Sequence, residues 1–69
     1  MMIIDFPDDM GSGNSLRIFK EEDGDIIIQI VETGQKLSTS PTVQFCTSGT
    51  VNPGLAILFH KIIEVNHAD

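Results

Sequence analysis

The strongest structural signal in this sequence is a pair of isoleucine-rich segments, residues 15–21 and 25–32, on either side of Asp23-Gly24. Both segments are rich in aliphatic residues, and Asp-Gly is a common turn sequence between paired strands. The pattern predicts a β-hairpin over about residues 15–32. An antiparallel sheet is therefore the expected base of the fold.

The length of the turn decides which side chains share a face of this hairpin. A two-residue turn at Asp23-Gly24 would mix apolar and charged side chains on both faces. A three-residue turn that includes Glu22, with Gly24 in a left-handed bulge, pairs Leu16 with Ile30 and Ile18 with Ile28. Because register follows the buried face, the bulged turn is the prediction. The opposite face then carries Arg17, Phe19, Glu21, Ile27, Gln29 and Val31.

Three further segments complete the predicted architecture. Residues 1–6 are a candidate first strand ended by Pro7, and residues 42–47 alternate like a strand. Residues 53–66 have helical spacing, with Pro53 suited to the first turn and Asn52 to the N-cap. The expected core face of that helix is Leu55, Leu58, Phe59 and Ile62. The sequence predicts one α+β domain over residues 1–69: a sheet of three to four antiparallel strands with the C-terminal helix on one face.

The predicted elements have more apolar surface than one small domain can bury. The hairpin's second face includes Phe19, Ile27 and Val31. In the helix, Ala56, Ile63 and Val65 widen the apolar arc to about half the circumference. A chain of 69 residues has a marginal core, and its single cysteine, Cys46, excludes an internal disulfide. We expect a homo-oligomer, because subunit contacts add buried surface.

The charge balance narrows the classes of partner. Ten acidic against four basic residues give a net charge of −6, which disfavours direct nucleic-acid binding. The acidic residues cluster at Asp8-Asp9 and within residues 21–25. The second cluster is interpreted either as a solvated turn or as a surface that mimics nucleic-acid phosphates or docks on a basic partner through Glu21, Glu22, Asp23 and Asp25.

No segment predicts export or membrane insertion. Residues 1–6 are too few for a signal peptide, and no apolar run approaches the length of a membrane span. A lone cysteine also suits a reducing compartment. The expected location is the cytoplasm, without membrane contact.

The turn Thr47-Ser48-Gly49-Thr50, between the last strand and the helix, is the one place that suggests ligand chemistry. Hydroxyls, a flexible glycine and the unpaired amides of a helix start can together bind an anion. Arg17, Lys20 or Lys36 would supply positive charge, most readily across a subunit interface. The alternative is an ordinary strand-to-helix connection made of turn and cap residues.

Two other residue sets are candidates for catalysis or metal binding. Cys46 enters the same turn, but a cysteine nucleophile needs a base and a lowered pKa, and the only histidines, His60 and His67, fall on the polar side of the helix. His60, Glu64 and His67 share a helix face and suit Zn²⁺ by residue type, although a solvated face explains them as well. We expect no enzyme activity, no metal and no cofactor.

The segment Ser40-Pro41-Thr42-Val43-Gln44-Phe45-Cys46-Thr47-Ser48-Gly49, followed by an amphipathic helix, resembles short uncharacterised phage and prophage proteins. Those proteins have a strand that ends in Phe-Cys-Thr-Ser-Gly and then a C-terminal helix. Residues 51–54 depart from the glycine-rich, basic linker typical of them. The resemblance implies a protein that acts by binding, either blocking a host defence or regulatory protein or sequestering its signalling nucleotide.

These observations give two functional hypotheses. The first is a non-enzymatic, homo-oligomeric phage-type protein that binds an anionic small molecule, such as a signalling nucleotide, through Thr47, Ser48, Gly49, Thr50 and Arg17. The second is an acidic interaction protein that inhibits a host protein through the 21–25 hairpin tip. An enzyme that uses Cys46 is the third and least supported hypothesis.

Overall fold

The fold is a four-stranded antiparallel sheet with one helix across it. The computed structural model describes residues 3–36 and 43–67. The strands are β1 (Ile3–Pro7), β2 (Asn14–Lys20), β3 (Ile26–Glu32) and β4 (Val43–Thr47), and they lie in the order β1-β2-β3-β4. The helix α1 spans Pro53–His67. The predicted α+β class is confirmed. Of the predicted strand segments, Met1, Met2 and Thr42 lie outside the described residues.

The hairpin has the predicted register and turn. Leu16 pairs with Ile30 and Ile18 with Ile28. The turn is closed by hydrogen bonds from the Glu21 amide to the Asp25 carbonyl and from the Gly24 amide to the Glu21 carbonyl. Gly24 has a φ of 96°, the left-handed conformation that the bulged turn requires. This pairing places Ile18, Ile26, Ile28 and Ile30 on the face of the sheet that the helix covers.

The main core lies between that surface and α1. Ile18, Ile26, Ile28 and Ile63 form its buried centre. Half-buried apolar side chains surround this centre: Ile4, Phe6, Leu16, Phe59 and Ile62. β1 contributes through Ile4 and Phe6, which pair with Ile18 and Leu16. The sheet's helix-facing side is thus covered most completely at β2 and β3.

The helix is rotated relative to the predicted core face. Ala56 and Ile63 are its buried side chains, whereas Leu58 is exposed, so the prediction of Leu58 as a core residue is wrong. The buried side of the helix start packs on the turn that precedes it. A Cβ built on Gly49 would lie 3.2 Å from the Ala56 Cβ, so the turn and the first helical turn pack closely. This close approach favours the small Ala56 at the contact. Because residues two apart point to nearly opposite sides of a helix, a helix that buries Ala56 exposes Leu58.

The second face of the sheet is buried as well, contrary to expectation. Phe19, Ile27 and Val31 are all buried within the chain. The chain after β3 folds back on this face: the Arg17 Nη2 donates to the Gln35 carbonyl, and the Ser15 and Thr33 hydroxyls are 2.9 Å apart. The prediction of spare apolar surface on this face is therefore wrong.

Candidate functional site

The hairpin tip presents four carboxylates on an ordered turn. The Asp25 amide donates to the Asp23 Oδ1 at 2.9 Å, and the two backbone hydrogen bonds of the turn fix the path of the chain. Glu21, Glu22 and Asp23 are exposed and Asp25 is half-buried. The sequence placed these side chains in one acidic cluster, and the structure brings them together at one end of the sheet. We call this end, with residues 21–25 and 46–50, the acidic end.

The Thr47–Thr50 turn lies beside the hairpin tip because Thr47 pairs with Ile26, the residue after Asp25. Its hydroxyls bond within the turn. The Gly49 amide donates to the Thr47 Oγ1 and the Thr50 amide to the Ser48 Oγ, each at 3.2 Å, while the Ser48 hydroxyl donates to the Thr50 Oγ1 at 3.0 Å. Thr47 is also buried. These bonds are those of an ordinary strand-to-helix connection, the alternative interpretation of this motif.

Arg17 is not brought to this turn. Its side chain lies on the opposite face of the sheet, where its Nε donates to the Asp5 Oδ1 at 2.7 Å and its Nη2 to the Asp5 Oδ2 at 2.9 Å. Arg17 is only 5% exposed. The expectation that Arg17 supplies charge to a ligand at the turn conflicts with this geometry, since the guanidinium is buried and already paired. Lys20 and Lys36 are exposed.

The acidic end lies close to the thiol of Cys46. This exposed side chain directs its Sγ toward the Asp25 Oδ2 at 3.9 Å. Partial desolvation, and then the negative charges of Asp25, Glu21 and Asp23, raise the pKa of the Cys46 thiol above its usual range. A raised pKa lowers the thiolate fraction at neutral pH, so the thiol is a poorer nucleophile here than in free cysteine.

The same carboxylates bear on the anion-binding hypothesis. Glu21, Asp23 and Asp25 lie close enough to Cys46 to perturb its titration, and Cys46 directly precedes the turn. An anion at Ser48 and Thr50 would therefore sit in a negative field. The local geometry favours a cationic partner at this end of the molecule.

A concave region lies at the end of the sheet opposite the acidic end. Sequence reasoning missed it. It has a volume of about 410 Å³ and an apolar floor with a polar rim: Phe6, Asp8, Ser12, Asn14, Ser15, Leu16 and Ile30. The Ser12 hydroxyl and the Met10 amide hold the pKa of Asp8 below its usual range. The polar rim is thus largely occupied by the hydrogen bonds of the β1–β2 loop itself. The concave region could have been predicted only from the register that places Phe6, Leu16 and Ile30 side by side.

Two of the three helix residues considered for metal binding are exposed on α1. His60 and Glu64 are exposed, and the side chain of His67 is outside the described residues. Within residues 3–36 and 43–67, no group of three or more His, Cys, Asp or Glu side chains is arranged to hold a metal ion. In that same part of the chain, no helix has the length and apolar character needed to cross a bilayer.

Comparisons of this chain with protein-family models, with curated proteins and with solved structures gave no match. The resemblance to phage proteins therefore stays a prediction. Among the described residues, the acidic end is the most distinctive surface, because four carboxylates lie together there.

Proposed function

We propose that this chain is a small non-enzymatic interaction protein whose acidic end docks on a basic surface of another protein. The observation that carries the proposal is the state of the tip carboxylates. Among the described residues the one salt bridge joins Arg17 to Asp5, so Glu21, Glu22, Asp23 and Asp25 have no cationic partner within that part of the chain. Their charge remains available for a partner.

The proposed partner presents a cluster of arginine or lysine side chains. Arginine suits carboxylates because its planar guanidinium can donate two parallel hydrogen bonds to one of them. Docking of this kind gains association rate and specificity from complementary charge, and both weaken as salt increases. If the resemblance to phage proteins holds, the partner would be a host defence or regulatory protein. Docking would inhibit that protein by covering its basic surface.

Binding of a nucleotide at the Thr47–Thr50 turn is the competing hypothesis, and it receives less support. The turn hydroxyls bond to each other and to turn amides, and the tip carboxylates adjoin them. If a nucleotide is the ligand, Ser48→Ala with Thr50→Ala must lower its affinity in an intact fold. Under our proposal, these changes lower partner affinity far less than reversal of the tip charges does, because they leave all four tip carboxylates in place.

Reversing two tip charges should lower partner affinity at least tenfold. Glu21→Lys with Glu22→Lys changes two exposed side chains that make no side-chain hydrogen bond among the described residues, so the fold should persist. The matched control is Asp9→Lys with Glu64→Lys, two exposed residues outside the tip. Each substitution of an acidic residue by lysine raises the net charge by two. Both double variants therefore have a net charge of −2 instead of −6.

The measurement has two steps. Proteins captured from the cell lysate by the unaltered chain are identified, and one is purified and titrated against all three chains at low and at high salt. We expect at least a tenfold loss of affinity for the tip variant, a small change for the control, and a general loss at high salt. Equal losses for both variants would mean that net charge, and not the acidic end, governs binding.

A further inference from the structure

β4 is the edge of the sheet that has the least protection against pairing with another strand. Within the described residues, no strand pairs with its outer side. Its sequence, Val-Gln-Phe-Cys-Thr, has no charge and no proline, and its four residues before Thr47 are exposed. Edge strands are usually protected by lysine, proline, a bulge or a covering element. The opposite edge, β1, ends in Pro7 and carries Asp5.

The exposed residues of β4 are also apolar on the helix-facing side. Val43 is 54% exposed and Phe45 45% exposed, and Ile30, which pairs with Val43, is exposed beside them. Together these side chains form an uncharged row along the edge. An uncharged apolar row of this kind is complementary to another uncharged apolar edge and not to a basic surface. The β4 edge and the acidic end therefore suit different partners.

We infer that β4 pairs antiparallel with β4 of a second copy of this chain, so that two four-stranded sheets become one eight-stranded sheet. A two-fold axis makes the contact self-complementary, since each copy offers the same backbone donors and acceptors. Because side chains alternate along a strand, Val43 and Phe45 of both copies meet on the helix-facing side.

The antiparallel arrangement limits the charge repulsion between two copies. The hairpin tips lie at the Thr47 end of β4, so antiparallel pairing directs the two acidic ends to opposite ends of the joined sheet. Their separation along the strands is at least roughly the length of the five-residue β4, about 17 Å, which exceeds the Debye length of about 8 Å at physiological salt. Parallel pairing would place both tips at the same end of the joined sheet, and therefore closer together, in two chains that each carry a charge of −6.

The available area indicates a weak dimer. At the exposures of Val43, Phe45 and their neighbours, the edge offers on the order of 400 Å² per copy, about half the roughly 800 Å² per partner of a standard interface. We therefore expect a dissociation constant in the micromolar range or weaker. Such a dimer would carry two acidic ends that face away from each other, which allows bivalent docking on a partner with repeated basic surfaces.

Sedimentation equilibrium of the full chain from low micromolar to millimolar concentration tests this interface. We expect a monomer–dimer equilibrium, weakened at least tenfold by Phe45→Lys and by Val43→Lys, because a lysine on the edge blocks pairing. The matched control is Ile57→Lys, since Ile57 is 66% exposed on α1 and outside the proposed contact. This control should leave the equilibrium unchanged.

Amide hydrogen exchange of the unaltered chain keeps the test decisive if a lysine variant fails to fold. Protection of β4 amides should increase with protein concentration, while that of β1 amides should not. A monomer at every concentration, an equal effect of Ile57→Lys, or concentration-dependent protection at β1 instead of β4 would each overturn the inference.

Discussion

Ile26→Ala is expected to destabilise the native state by about 3 kcal/mol, within the usual range for removing a buried isoleucine side chain. Ile26 is 0% exposed and packs in the core centre with Ile18, Ile28 and Ile63. The substitution removes apolar contact and leaves a cavity beneath α1. Small domains have a total stability near the low end of about 5–15 kcal/mol, so this loss would remove a large share of it.

Urea unfolding followed by circular dichroism measures this effect as a lower midpoint at unchanged slope. The matched control is Ile57→Ala, the same chemical change at an exposed helix position, for which we expect a change within about 0.5 kcal/mol. Equal destabilisation by the two substitutions would contradict the assignment of the core to the interface between the β2–β3 isoleucines and α1.

Asp5→Ala is expected to cost about 2 kcal/mol, because it leaves the buried guanidinium of Arg17 without its carboxylate partner. Removing one member of a fully buried ion pair typically costs about 3–5 kcal/mol. The smaller figure applies here because the Asp5 side chain is 34% exposed and Arg17 keeps its bond to the Gln35 carbonyl. The control is Asp9→Ala at an exposed position, which should be close to neutral.

The same pair predicts how stability depends on pH. The hydrogen bond from Arg17 holds the pKa of Asp5 below its ordinary value of 3.8. A lowered pKa in the folded state means that the stabilisation is complete above 3.8 and is lost as the pH falls through the folded-state value. Urea midpoints between about pH 2 and pH 6 should therefore decline less steeply at the acidic end of that range for Asp5→Ala than for the unaltered chain. Parallel declines would show that the pair contributes no pH-dependent stability.

The sequence predicted the elements whose signals are local. Aliphatic residues around Glu22-Asp23-Gly24 were sufficient for the hairpin and its register, because only the bulged turn gives a uniform apolar face. Pro53 and the helical spacing after it were sufficient for α1. The acidic tip also followed directly from residues 21–25, since all four carboxylates belong to one turn.

The features that sequence reasoning missed depend on contacts between distant segments. The Asp5–Arg17 pair requires the register of β1 on β2, and Asp5 alone gives no sign of it. The burial of Phe19 and Ile27 depends on the second face being covered, which strand alternation does not reveal. In α1 the buried side includes Ala56, which packs closely on the Gly49 turn, whereas spacing alone favoured Leu58.

The most direct test of the acidic end as the docking surface is a titration of the ¹⁵N-labelled chain with a hexalysine peptide, followed by amide chemical shifts. A basic peptide serves even before any partner is identified, because it reports where the surface attracts cations. We predict that the shifts concentrate at residues 21–25 and 46–50 and disappear at high salt. Shifts that are largest around Asp8 and Asp9, or spread evenly over the acidic residues, would contradict the proposed function.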